Sequence, residues 1–289
     1  MIMSISASAV LVELNISVWP ASKIDRETTD RVNFDASAVS NASQTKKNLF
    51  AGTGLRKDIE KFAARVRLYH NLNTLPWADK GERLAPTKVF MEYKTAMNSF
   101  ESQFHAMCNN FYAEYPRLVS EAPTNLGKLF KAEDYPPLDE VRCKFGFRRS
   151  TNPLSDAGDF RLDIPAQDLI EIQAAYEEKF NERLAEAMKA PWDRLHKMLT
   201  GISEKLTDDT DEDSDVPKKR YYDSLITNPL ELCELLTKLN VTNDPKLEEA
   251  RRQLEVTMLS TDIERIKEDA DTRSNVKSKV DAILGKFEW

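Results

Sequence analysis

Residues 86–119 read PTKVFMEYKTAMNSFESQFHAMCNNFYAEYPRLV, and in them Tyr93, Met97, Phe100, Phe104, Met107 and Phe111 recur at alternating steps of four and three. An α-helix places residues with this spacing on one face, and a stripe so apolar has to be covered by other elements. The seam is coiled-coil-like, but its aromatic content suits packing against several neighbours rather than one slim partner. Pro86 fits a first-turn position and Pro116 marks the expected end, because proline lacks the N–H that a helix interior requires. At the α-helical rise this element is about 45 Å long.

Working outward, a second amphipathic helix is expected after Pro165, with Leu169, Ile172, Tyr176, Phe180, Leu184 and Met188 on one face. Pro191 either kinks it or starts a new helix through Trp192, Leu195 and Leu199. Upstream, Leu55, Ile59, Phe62, Val66 and Tyr69 follow helical spacing from near Gly54 as far as Pro76, and Asp35 to Thr45 has loop character. Near the N-terminus Val10, Val12, Leu14, Ile16 and Val18 alternate with Glu13, Asn15 and Ser17, the pattern of a half-buried strand. Between the two long helices, Val141 to Ile164 reads as a small β-hairpin: a strand around Lys144–Arg149, turn formers in 150–158, and a partner strand at Phe160–Asp163. Beyond Leu206 the run Asp208, Asp209, Asp211, Glu212, Asp213 and Asp215, followed by Lys218, Lys219 and Arg220, reads as a solvated linker. Helices are then expected at Leu230–Leu239, Lys246–Leu259 and Asp262–Leu284.

The expected fold is therefore mainly α: a long-helix bundle with a short N-terminal strand and a small β-hairpin insertion. Its expected division is a helical body over 1–206 with the hairpin near 141–164, an acidic/basic linker over 207–220, and a C-terminal helical subdomain over 221–289. The scarcity of glycine (8 of 289) and the 31% of charged residues fit long solvated helices.

Three widely spaced cysteines, Cys108, Cys143 and Cys233, support neither a disulfide framework nor a zinc motif, and point to a reducing compartment. No apolar run is long enough to cross a bilayer, and the first residues lack the basic flank of a signal peptide. A cytoplasmic protein, in the host cytoplasm if viral, with no membrane partner is expected.

Common catalytic chemistries find no footing. Gly52 and Gly54 match neither phosphate-loop spacing nor the dinucleotide fingerprint. His70, His105 and His196 are scattered; His105 and Cys108, one helical turn apart, are the best local metal or nucleophile pair and read as ordinary packing residues beside the long seam. The acidic run lacks the glycine and closing glutamate of a calcium loop. No catalytic residue, metal or cofactor is assigned.

Binding is the better-supported class. Single strands are held by cations along the phosphates and aromatic faces on the bases, and Arg142, Lys144, Phe145, Phe147, Arg148 and Arg149 supply both types. A second basic region comprises Lys46, Lys47, Arg56, Lys57, Lys61 and Arg65. In a chain of net charge −7 such local patches would have to suffice. The expected partner is single-stranded DNA or RNA. The competing expectation is an adaptor, inhibitor or scaffold that recognises another protein or a further copy of itself, with the seam or the aromatic tail Phe287 and Trp289 as the contact.

The opening Leu14-Asn15-Ile16-Ser17-Val18-Trp19, with Lys23 and Asp25, resembles the start of uncharacterised bacteriophage and prophage proteins. Leu75-Pro76-Trp77 and Asp156-Ala157-Gly158-Asp159-Phe160-Arg161 are similar in character. Some such phage genes accompany AAA-type ATPase and von Willebrand factor A-like genes, and phages carry unusual single-strand DNA-binding proteins for replication or transcription. The resemblance thus implies either nucleic-acid binding or action on a phage or host protein such as an AAA-type ATPase.

Overall fold

The computed structural model describes residues 7–78, 81–155, 166–207 and 220–289. The chain is 67% helical, with nine α-helices and two small antiparallel sheets among the described residues, so the fold is mainly α. It divides into two compact units: Leu14–His70 with Lys94–Ser150 form one, and Met1–Glu13, Asn71–Tyr93 and Thr151–Trp289 form the other. The expected division at 207–220 is not where the contacts divide. Helices on both sides of that stretch share one hydrophobic cluster, because the apolar faces of the C-terminal helices are buried against the second long helix.

The first unit, the discontinuous 14–70 and 94–150, holds most of the seam. Helix α1 (Arg26–Asp35), helix α2 (Leu55–Leu72) and most of helix α3 (Thr87–Leu126) are joined there by strands β2 (Ser22–Ile24) and β3 (Lys46–Asn48), which pair Ile24 with Lys46. Tyr93, Met97, Phe104 and Phe111 are buried, as the four-three spacing requires. Burying each large side chain contributes about 1.5–3 kcal/mol. Around Phe111 the core is aromatic: Phe50 lies 5.5 Å from Phe111, 5.6 Å from Trp19 and 5.9 Å from Tyr115, all edge to face.

Helix α3 does not stop at Pro116. It runs 40 residues with Pro116 and Pro123 inside it. The lost backbone bond is outweighed because Leu118 and Ala122 continue the buried face of Tyr115 beyond the proline. Helix α4 (Leu138–Arg142) then leads into strand β6 (Gly146–Pro153). That strand meets the expected one around Lys144–Arg149 only in part, since it starts at Gly146 and runs through Pro153 into the expected turn, and its neighbour is the N-terminal strand β1 (Ala9–Ser17), in a sheet ordered β4 (Leu75–Pro76), β5 (Arg83–Pro86), β1, β6. The expected partner strand at Phe160–Asp163, like the acidic run Asp208–Asp215, lies outside the described residues.

In the second unit, β5 (Arg83–Pro86) pairs antiparallel with β1, Val12 opposite Arg83, and with the short β4 (Leu75–Pro76). Its core gathers Leu75 and Leu84 with Leu195 and Leu199 of helix α5 (Ala166–Leu206), Leu236 of α6 (Ser224–Leu239), Leu254 of α7 (Pro245–Leu259) and Val280 of α9 (Ala270–Lys286). Helix α5 is continuous through Pro191. The expected helix over Asp262–Leu284 is two, α8 (Ile263–Glu268) and α9, because the Asp269 carboxylate accepts the N–H groups of Asp271 and Thr272 and starts a new helix there. No helix among the described residues is long and apolar enough to cross a membrane.

Candidate nucleic-acid interface

Charge is divided unequally between the units. The first carries 18 Lys and Arg against 13 Asp and Glu, a formal +5, whereas the second carries 23 against 35, a formal −12. All twelve residues expected to bind nucleic acid belong to the basic unit.

They divide into three kinds of place. Lys46, Lys57, Lys144 and Arg148 are exposed and have no ion-pair partner among the described residues. A second set is engaged, and all of it is exposed except the half-buried Arg56. Lys61 lies 3.9 Å from Asp58, the Arg65 guanidinium sits 4.9 Å over the Phe62 ring, and Arg142 sits 5.3 Å over Tyr112. Arg56 pairs with Glu60 at 2.8 Å, and Arg149 pairs with Glu101 at 2.9 Å. On α2, Lys57, Lys61 and Arg65 follow a four-residue spacing along the solvent face.

The remaining three are interior and correct the expectation. Lys47 is buried: its ammonium lies 2.6 Å from Asp134 and 4.0 Å from Asp25 and donates to the Leu129 carbonyl at 2.7 Å. A cation so neutralised is a tie between segments rather than a phosphate contact. Phe147 lies in β6 and Phe145 immediately precedes that strand, and both rings are buried in the core. Phe145 packs 5.4 Å from Phe111 and 5.8 Å from Tyr112, and Phe147 packs 5.6 Å from Phe104. Two buried rings are as strongly stabilised as two stacked bases would be, about 1–3 kcal/mol each, and the fold has taken the burial.

His105 and Cys108 do not form a site. His105 is exposed and Cys108 is 2% exposed, and burial pushes the Cys108 thiol up to about 11, away from a reactive thiolate. Among the described residues no group of three or more His, Cys, Asp and Glu is placed to hold a metal. The tail folds back on its own unit: the Trp289 ring lies 5.4 Å from Trp192 and 5.0 Å from His196.

One surface residue escaped the sequence reading. Phe34 is 84% exposed, the largest value for a large hydrophobic residue among the described residues, and Val39, five residues on, is 72% exposed. Helix α1 is inside out, because its buried side chains are the polar Thr29 and Asn33. Asn33 donates to the Ser40 carbonyl and accepts from the Ser43 hydroxyl, and the Asp25 carboxylate caps the helix by accepting from Thr28 at 2.8 Å. That Thr28 N–H, with the Thr28 hydroxyl and Lys47, holds Asp25 below the ordinary carboxylate range. The available signal was an aromatic residue in a segment that has no apolar face.

Comparison of the chain with protein-family models, with curated proteins and with solved structures finds no match.

Proposed function

We propose that this chain is a non-enzymatic binding protein that holds single-stranded nucleic acid on the basic unit, through phosphate contacts from Lys46, Lys57, Lys144 and Arg148 with Lys61, Arg65 and Arg142 beside them. The observation that carries the reading is the confinement of excess positive charge to one unit of an acidic chain, with four of its cations exposed and unpaired among the described residues. Phosphates attract such a surface without any base being read, so affinity depends on salt and little on sequence. In the setting that the phage-protein resemblance implies, this is an accessory role in DNA replication or transcription.

Fluorescence anisotropy with labelled single-stranded DNA, duplex DNA and RNA at about 50 mM salt tests it. The expected result is tightest binding to a single strand, with loss of at least tenfold in affinity when Lys57, Lys144 and Arg148 are all changed to Glu. Absence of binding to every probe at that salt overturns the proposal. The adaptor reading is favoured by a different observation: on α5, Ile170 is 65% and Ile172 38% exposed. A partner retained from lysate after nuclease digestion, and lost on changing both to Ser, would support that reading instead.

A further inference from the structure

We propose that copies of this chain associate head to tail, the Phe34 knob of one entering an aromatic cavity on the acidic unit of the next. The cavity, of about 130 Å³, is walled by Trp77, Tyr176, Phe180 and Leu11. Trp77 and Phe180 meet edge to face at 5.3 Å, and the Tyr176 hydroxyl donates to the Ser155 carbonyl at 2.9 Å, so the walls are braced. An enclosed apolar cavity of about 150 Å³ holds a benzene ring; this cleft is partly open and mixed in its lining, but its volume is on the scale of one phenyl group.

Knob and cavity match in charge as well as in size. Asp30, one helical turn before Phe34, and Asp35, next to it, are exposed. Lys179 and Arg183, one turn apart on α5, line the cavity, are exposed, and make no ion pair among the described residues. The minority signs correspond too: Arg31 accompanies Phe34, and Glu82 lines the cavity. At the scale of whole units, the knob belongs to the part with formal charge +5 and the cavity to the part with −12. Rigidity favours the contact, because the buried Asn33 and its two hydrogen bonds fix the segment that presents Phe34, so little ordering entropy is lost on docking. A contact between two different patches is heterologous, and unless the rotation closes it continues into chains. This inference does not depend on what the basic unit binds.

Sedimentation velocity on the full chain across a concentration series, at low and high salt, provides the test. The wild type is expected to gain mass with concentration at low salt and to lose it at high salt. Phe34→Ala and Arg183→Glu should each weaken self-association at least tenfold. Mixing the two variants should restore a one-to-one pair, since one contributes an intact cavity and the other an intact knob. Both side chains are exposed, and circular dichroism of each variant should match the wild type. A wild type that stays monomeric at high micromolar concentration overturns the inference. So does self-association that Phe34→Ala leaves unchanged, or a mixture that behaves as its separate components.

Discussion

Lys46 and Lys47 are neighbours in sequence and part company in the fold, because alternate residues of a strand point to opposite sides. Lys46 faces water, whereas Lys47 is 6% exposed and held between Asp134, Asp25 and the Leu129 carbonyl. Removing one partner of a buried ion pair leaves an uncompensated charge, which costs about 3–5 kcal/mol. Lys47→Met is therefore expected to lower unfolding free energy by roughly that amount in urea titration, while Lys57→Met on the open face changes it by less than about 0.5 kcal/mol. Acid sensitivity follows from the same kind of residue. Asp25 is held below its ordinary value by Thr28 and Lys47, Asp269 by Thr272 and the Asp271 N–H, and Glu248 by Arg251. A carboxylate with a depressed folded-state pKa contributes stability that is complete above its unfolded value and is lost as pH falls through the folded one. Thermal unfolding temperature should hold steady from neutrality to about pH 5 and decline below about pH 4, and a flat profile down to pH 2 would contradict these assignments. The tie between Lys47 and Asp134 was not legible in the sequence. A lysine in a basic stretch looks the same whether its partner is a phosphate or an aspartate distant in sequence.

Helices were the legible part, for a physical reason: a buried stripe must repeat at the helical period, and Tyr93 to Phe111 does so. Their ends were less so. Proline suggested a stop at Pro116, but the packing of Leu118 and Ala122 holds the helix on past it, a tertiary effect that local propensity does not register. Because Pro116 is itself exposed, Pro116→Ala should restore the missing backbone bond without opening a cavity and raise unfolding free energy by roughly 1–3 kcal/mol. Helix α1 was missed because its buried residues are polar and no apolar period marks it. Helix α5 is uneven along its length: among its described side chains none is buried before Ala187, whereas Leu195, Leu199, Ile202 and Leu206 all are. Hydrogen exchange should therefore be faster over 167–185 than over 187–206, since helical amides whose side chains are only partly buried open more readily. Equal protection in the two halves would mean that a partner or further chain covers the first.

Across the molecule, charge and connectivity set the behaviour to be measured. If Lys46, Lys57, Lys144 and Arg148 each neutralise one phosphate of a single strand, log K falls by about 0.7 per contact, or about 3 per decade of salt. Affinity should then drop roughly fiftyfold between 50 and 200 mM salt. A salt-independent affinity would locate the binding elsewhere. The charge totals were readable from the sequence, but their division between units was not, because the basic unit is assembled from 14–70 and 94–150 and the acidic unit from three other stretches. That interleaving has a consequence for synthesis. Every residue of the basic unit has left the ribosome once residue 150 is clear, so it can fold while the rest is still being translated. The acidic unit needs its first strand and its last helix together, and at about 5–20 residues per second it waits roughly seven to thirty seconds longer. During that interval the N-terminal segment and the stretch over 71–93 have no core to join, so the nascent chain presents a finished cationic domain with apolar strands beside it. Chaperone capture, or an early encounter with a polyanion, would fall in that window.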